Sequence, residues 1–363
     1  MRAAALLAIA LAAPLAGQTF TQRGFFESRN YFFPQTGFND SGRAVSELLL
    51  RYDAAWQARP WLRFNTSFDT RIDSHRQVER AWTFDWDGRQ VQRPPFSFRR
   101  FSAILNRKEW TFEIGRQFIR WGKADILNPT DRFAPRDFLN VFDADFLAVN
   151  AARLTWERGG NTIDAIWQPR FTPSRTPLLL QRWLVLPEAT QQIRVQDRGS
   201  RYPGGSQYGI RWNHVGRGHE FSLSYFDGNN YYPLFQPSLD IDFRAGLDAI
   251  RRERPPVDQL LPVFARNAIT LGLERTYPRL RLYGGDAAVP LKWFTVKGEA
   301  GYYTSSTPGL DSFLLYVIQL ERTWGEWVFV GGYAGEALAA PNTNPLSFLP
   351  DRGVARLLRP RRT

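Results

Sequence analysis

Along most of the chain, apolar and polar residues alternate with a period of two, the repeat of a β-strand with two unlike faces. In the stretch 62–70, Leu62, Phe64, Thr66 and Phe68 share one face, and Arg63, Asn65, Ser67 and Asp69 share the other. The same pattern sets Leu48, Leu50, Tyr52, Ala54 and Trp56 against Leu49, Arg51, Asp53 and Ala55. It also sets Phe221, Leu223 and Tyr225 against Glu220, Ser222 and Ser224. The alternation predicts about fourteen strands, give or take two. They lie at 20–32, 44–56, 61–73, 97–106, 109–119, 148–157, 161–168, 205–214, 219–227, 266–275, 279–289, 293–303, 312–322 and 326–336. Many are about twice the ~5–6 residues of an ordinary strand, and they reach the roughly 9–11 residues a tilted strand needs to cross a bilayer.

The connections alternate as well. Short turns fall at 58–60, 107–108, 158–161 and 216–218, and long segments at 74–96, 120–147, 169–204 and 228–265. A soluble β-sandwich also alternates apolar and polar positions, so strand length and this asymmetry of connections carry the choice. Together they predict an all-β fold, an antiparallel transmembrane β-barrel with short periplasmic turns and long extracellular loops. Trp56, Trp61, Trp110, Trp324 and Trp327 stand at strand ends, where amphipathic rings meet lipid headgroups.

Composition supports this reading. Aromatic residues make up 15% of the 363 residues, with 13 Trp, yet mean hydropathy is −0.39. A polar chain can still cross a membrane as a barrel, since only every second residue meets lipid. The absence of cysteine excludes disulfides and thiolate metal sites. The first residues combine Arg2, an Ala/Leu-rich core from Ala3 to Ala13 and then Pro14-Leu15-Ala16-Gly17, the layout of a secretory signal peptide. The chain therefore divides into a signal peptide at 1–17, a barrel at 18–340 and a stretch at 341–363. That last stretch begins like another strand and then turns basic, and it reads either as an incomplete last strand or as a basic tail. The formal charge is +12. Its basic residues are spread singly along strands rather than clustered, which fits a channel interior or anionic lipid and speaks against a nucleic-acid partner.

The most distinctive local sequence is Gly115-Arg116-Gln117-Phe118-Ile119-Arg120-Trp121-Gly122-Lys123-Ala124-Asp125, followed by Asn128-Pro129-Thr130-Asp131. In this Gly-Arg-Gln, Trp-Gly, Asn-Pro-x-Asp signature the chain resembles a porin-like outer-membrane β-barrel family of unassigned function, similar in layout to alginate-export-type porins. Weaker echoes follow at Gly284-Gly285-Asp286 and Lys297-Gly298-Glu299. The resemblance implies a barrel and says little about a solute.

The segment runs from a strand into the third long loop, which in porin-like barrels folds into the lumen. This loop holds Asp125, Asp131, Asp137, Asp143 and Asp145, with Arg132 and Arg136. Opposite them the wall offers Arg51, Arg63, Arg153 and Arg211, and the signature itself offers Arg116 and Arg120. The lumen and constriction candidates are therefore Arg51, Arg63, Arg116, Arg120, Arg153, Arg211, Asp125, Asp131 and Asp137. Rings of charge of this kind set ion selectivity in pores. The alternative is a solvated loop with local ion pairs.

Catalytic and cofactor motifs are missing. His75, His214 and His219 are scattered and read as ordinary polar residues rather than ligands. There is no nucleophile elbow, phosphate loop or dinucleotide fingerprint, so neither enzyme nor cofactor is expected. The apolar stretch 176–187 reads as packing within the loop cap, as a plug, or as a contact with a ligand or protomer, and 240–252 as a short helix with Phe243, Leu247 and Ile250 on one side. The expected function is passive passage of small hydrophilic, possibly anionic, solutes, with outer-membrane lipid and a homo-oligomer as partners. The second reading is a plugged barrel in a structural, export or assembly role, and the third a barrel hydrolase.

Overall fold

The computed structural model describes residues 19–37, 40–142, 144–179, 181–184, 193–307 and 310–340. The expected signal peptide at 1–17, the stretch 341–363 and Asp143 lie outside these residues, as does part of the apolar stretch 176–187. Among the described residues seventeen strands form: β1 (Thr19–Phe32), β2 (Ala44–Arg59), β3 (Leu62–Asp73), β4 (Phe84–Asp85), β5 (Phe96–Arg107), β6 (Trp110–Gln117), β7 (Val149–Arg158), β8 (Asn161–Gln168), β9 (Arg194–Arg201), β10 (Gln207–Gly216), β11 (His219–Asn229), β12 (Leu234–Ile241), β13 (Ile269–Thr276), β14 (Arg279–Pro290), β15 (Thr295–Thr304), β16 (Ser312–Trp324) and β17 (Trp327–Ala340). Two helices, α1 (Phe243–Glu253) and α2 (Leu260–Ala268), lie between β12 and β13.

The main sheet has 14 strands in the order β1-β2-β3-β5-β6-β7-β8-β10-β11-β14-β15-β16-β17, with the short β4 beside β5. Successive strands along this path are antiparallel, so the sheet is an up-and-down meander. Among the described residues β1 and β17 are not paired with each other. The sheet is all-β and strongly curled. The segment between β6 and β7 touches the wall at Glu47 of β2, through Asn140 Nδ2 at 3.4 Å, and at Gln319 of β16, through Asp125 N at 2.9 Å.

Turn chemistry follows the sequence. Arg158 and Asn161 pair across a two-residue turn made of Gly159 and Gly160, both at positive φ (56° and 77°), the conformation a tight hairpin demands. Short turns also join β2 to β3, β5 to β6, β10 to β11, β14 to β15 and β16 to β17, all at one end of the barrel. The longer connections lie at the other end.

One expected strand does not belong to this sheet. The stretch 266–275 becomes the end of α2 plus β13, and β13 pairs with β12 and, in parallel, with β9 in a separate three-stranded sheet. Strand β11 pairs directly with β14, so all of 230–278 is one excursion. The local pattern of 266–275 suits either sheet. The expected helix forms as α1, capped by Asp242, whose side chain accepts from Ala245 N at 3.0 Å.

The two faces of the main sheet are inverted relative to a soluble protein. Polar side chains are buried inside: Asn65, Ser67, Asp69, Glu113, Asp164, Asp286, Glu299 and Gln319. Large apolar side chains are exposed outside: Leu50, Phe64, Phe101, Ile114, Ile210, Leu223 and Ile318. Trp56, Trp61, Trp110, Trp324 and Trp327 are all exposed at the short-turn end, where a ring of amphipathic side chains would meet headgroups.

Candidate functional site

The lumen is organised by the segment 118–148. Gly115 and Gly122 start the departure from β6; both have positive φ (120° and 86°), which glycine tolerates without a Cβ clash. The segment turns inward and is latched to the wall by side chains far away in sequence. Glu299 on β15 accepts from Lys123 N (2.9 Å) and Ala124 N (3.2 Å) on one oxygen, and from Thr130 N and Thr130 Oγ1 (both 2.8 Å) on the other. Gln319 on β16 accepts from Asp125 N and donates to the Asp125 carboxylate at 2.6 Å. Lys123 Nζ reaches Glu220 (2.6 Å) and Asp286 (3.3 Å), and Trp121 Nε1 donates to Asp164 at 3.1 Å.

Apolar packing completes the latch. Ile119, Trp121 and Phe133 are buried with Val149, Ile166, Phe226, Leu282 and Tyr303 in one cluster. Gly209 on β10 leaves the space for it, since a Cβ there would fall 2.5 Å from Phe133 and 2.7 Å from Trp121. Removing charged and apolar groups from water together requires that the charges be paired, and here nearly every donor and acceptor of the latch has a partner.

The charged residues singled out from sequence separate into groups. Arg51, Arg153 and Arg211 do face inward, but their short ion pairs run along the wall. Arg51 binds Asp69 through two contacts (2.6 and 2.8 Å), Arg153 binds Asp164 (2.7 Å) and Arg211 binds Asp286 (2.9 Å). Only Arg51 also approaches a loop acid, Asp145, at 4.0 Å. Arg63 donates to Asn65 at 3.0 Å. Arg116 is buried under the 84–90 segment, donating to the Trp86 carbonyl at 2.8 Å.

Within the loop, Arg120 sits 3.6 Å from Asp131 and over the Phe146 ring. Asp131 is buried, and burial pushes its carboxyl up to about 6; the Trp121 N–H and Arg120 offset this only in part. Asp125 lies on the other side of the balance, lowered by its hydrogen bonds to Gln319 and Lys297.

Asp137 belongs to the outer end. Burial alone would raise its carboxyl, but Arg93 (2.9 and 3.1 Å) and Arg175 (3.1 Å) more than offset this and hold it well below the usual carboxylate range. Arg175 also reaches Asp85 at 3.4 Å. Three loops are thus tied together at one buried cluster. Nearby, Asp40 joins His75 (2.9 Å) and Arg182 (3.1 Å), and Trp183 packs edge-on to Phe33 and Phe142. The described part of the apolar stretch therefore packs in the loop cap.

Lys123 lies in the distinctive segment 115–125, whereas Gln319, Arg93, Arg175, Arg99 and Arg100 carry no signal in the sequence. The weak echo around Lys297-Gly298-Glu299 is the signal for the wall side of the latch. Opposite the latch, on the side of β1 to β5, the lumen keeps an open recess of about 390 Å³. No cluster of His, Cys, Asp and Glu that would hold a metal ion occurs among the described residues.

No protein-family model matches the chain, and no curated protein matches it. Among solved structures, it is similar to OmpF of Salmonella typhi in complex with daunomycin, with 10% identity over 88% of this chain and 79% of that one, at a TM-score of 0.41. It is similar to OccAB4 of Acinetobacter baumannii, with 7% identity over 90% and 69% of the two chains and a TM-score of 0.45. It is similar to OprB of Pseudomonas putida, with 11% identity over 84% and 76% and a TM-score of 0.30.

Proposed function

We propose that the chain is an outer-membrane channel of porin type that lets small hydrophilic solutes diffuse through its lumen. The observation that carries this is the inverted polarity of a curled meander with a loop latched inside it: apolar outside, polar inside, and an open recess beside the latch. A buried-polar, exposed-apolar sheet is stable when hydrocarbon covers its outer face, so outer-membrane lipid is the partner this surface fits. Transport by diffusion needs no cofactor, and a homo-oligomer is compatible with the same outer surface. The test is single-channel current in a planar bilayer with detergent-refolded protein. Discrete steps support the channel. Silence from folded, inserted protein overturns it.

A second reading is a plugged barrel with a structural, export or assembly role. The buried cluster of Trp121, Phe133 and Phe226 favours it, because it fills one side of the lumen with dry apolar packing. A plugged barrel conducts nothing and co-purifies with its partners. A barrel hydrolase is the third reading.

A further inference from the structure

Strand β5 does not keep strict alternation. Its pairing with β3 matches Ser67 to Arg100 and next Phe68 to Phe98, so Arg99 is an extra residue, a β-bulge. Strict alternation sends consecutive side chains to opposite faces. The bulge instead lets Arg99 and Arg100 both line the open recess, which Arg23 and Arg63 also line.

The four guanidiniums are unequally occupied. Arg23 pairs with Asp53 and Arg100 with Glu113, both at 3.1 Å. Arg63 has no carboxylate partner among the described residues; its Nε donates to the amide oxygen of Asn65. Arg99 makes no ion pair there, although Asp145 and Asp69 attract it from farther off, and its guanidinium lies over the Phe118 ring at 4.6 Å. Stacking uses the face of a guanidinium and leaves its in-plane N–H donors free. Two more polar atoms are buried without a hydrogen bond: Ser67 Oγ, on a residue 4% exposed that lines the recess, and Arg100 Nε.

We infer that this recess binds a small solute carrying a carboxylate or phosphate group, an inference that rests on the channel reading of the lumen. Two guanidiniums outside any ion pair and an orphaned hydroxyl give the recess an excess of hydrogen-bond donors. Such a surface matches an oxyanion, which is acceptor-only and takes short charge-assisted hydrogen bonds. A cation meets net positive charge here, and a neutral sugar leaves the two guanidiniums unmatched. Of the nearby carboxylates, Asp53, Asp69 and Glu113 are held in short ion pairs with Arg23, Arg51 and Arg100, and Asp145 lies 4.0 Å from Arg51, so the recess keeps an excess of positive charge.

The test titrates inorganic phosphate, malonate and sucrose into folded, detergent-solubilised full-length protein by calorimetry at constant ionic strength. Saturable binding of phosphate or malonate and none of sucrose is expected. Which anion binds more tightly tells phosphate from carboxylate. Arg99→Ala and Arg63→Ala should each weaken binding by about tenfold or more, while Arg158→Ala, at a distant turn, leaves it unchanged. Heat-dependent gel mobility checks that each variant is folded. Anion binding no stronger than sucrose binding, or binding unchanged in the folded Arg63→Ala/Arg99→Ala double variant, overturns the site. Current steps without anion binding defeat the site and keep the channel. Binding without current keeps the site and defeats the channel.

Discussion

Glu299 fills the space that a side chain at Gly122 would need: a Cβ on Gly122 would fall 2.5 Å from Glu299 Oε1. With φ at 86°, residue 122 is also in a conformation that costs an L-residue about 1–2 kcal/mol. Gly122→Ala should therefore displace the loop from the wall. The expected result in a bilayer is larger or noisier single-channel current from a barrel that still folds. Current traces indistinguishable from the parent's would show that the loop is held elsewhere.

Glu299 accepts four donors with two oxygens. Glu299→Gln places an amide NH2 against some of those donors, and an unsatisfied buried donor costs about 1–3 kcal/mol. Trypsin should then cut folded protein faster at Lys123, whose ammonium is otherwise occupied by Glu220 and Asp286. Equal cleavage rates would contradict the role given to Glu299.

Asp131 gives the latch a pH dependence with a definite sign. Its carboxyl, raised to about 6 in the docked loop from an ordinary 3.8, binds its proton more readily there than when released. Docking therefore strengthens as pH falls through about 6, and the gain is complete once pH is below the ordinary value. The gain is at most about 3 kcal/mol. Asp131→Asn keeps an acceptor for Trp121 N and should abolish this dependence between pH 4 and 6. Protease resistance of the loop measured across that window is the readout, and a parental slope in the variant would refute the assignment.

Asp137 carries the opposite sign. Its lowered carboxyl contributes stability above the ordinary carboxylate range, and that stability is lost as pH falls. Asp137→Asn removes the shared carboxylate and leaves Arg93 and Arg175 only their longer contacts to Glu47 (3.5 Å) and Asp85 (3.4 Å), so the cost should approach but not reach the ~3–5 kcal/mol of a buried pair broken outright. The measurement is the unfolding midpoint at neutral pH. A midpoint unmoved by the substitution would mean that the three loops are not tied through this residue.

The outer face can be tested at Leu223, 58% exposed on β11. If hydrocarbon covers it, Leu223→Arg should destabilise the barrel in lipid vesicles by up to about 2–4 kcal/mol. On a water-exposed face the same change would be near neutral. Urea unfolding in vesicles separates the two.

Much of the fold was legible because a strand's two-residue repeat is local. The expected strand at 161–168 matches β8, and the expected 219–227 falls within β11. The stretch 266–275 was not placed correctly because its alternation cannot say which sheet a strand joins. The site was less legible. Arg99 and Arg100 are neighbours, and alternation assigns them to different faces unless a bulge intervenes; no residue type announces that bulge. Asp137 was visible as a loop acid, but its partners Arg93 and Arg175 come from two other loops and meet it only in three dimensions.

The distance along the chain between the latch and its receptor has a kinetic consequence. The Lys123 amide and Glu299 are 176 residues apart, and Asp125 and Gln319 are 194 apart. Contacts this remote carry a large loop-closure entropy and form slowly. The segment 118–148 therefore finds no complete receptor until β15 and β16 have joined the sheet. A sheet without those two strands has no Glu299 or Gln319 to hold the segment, so narrowing of the lumen depends on strands near the far end of the meander.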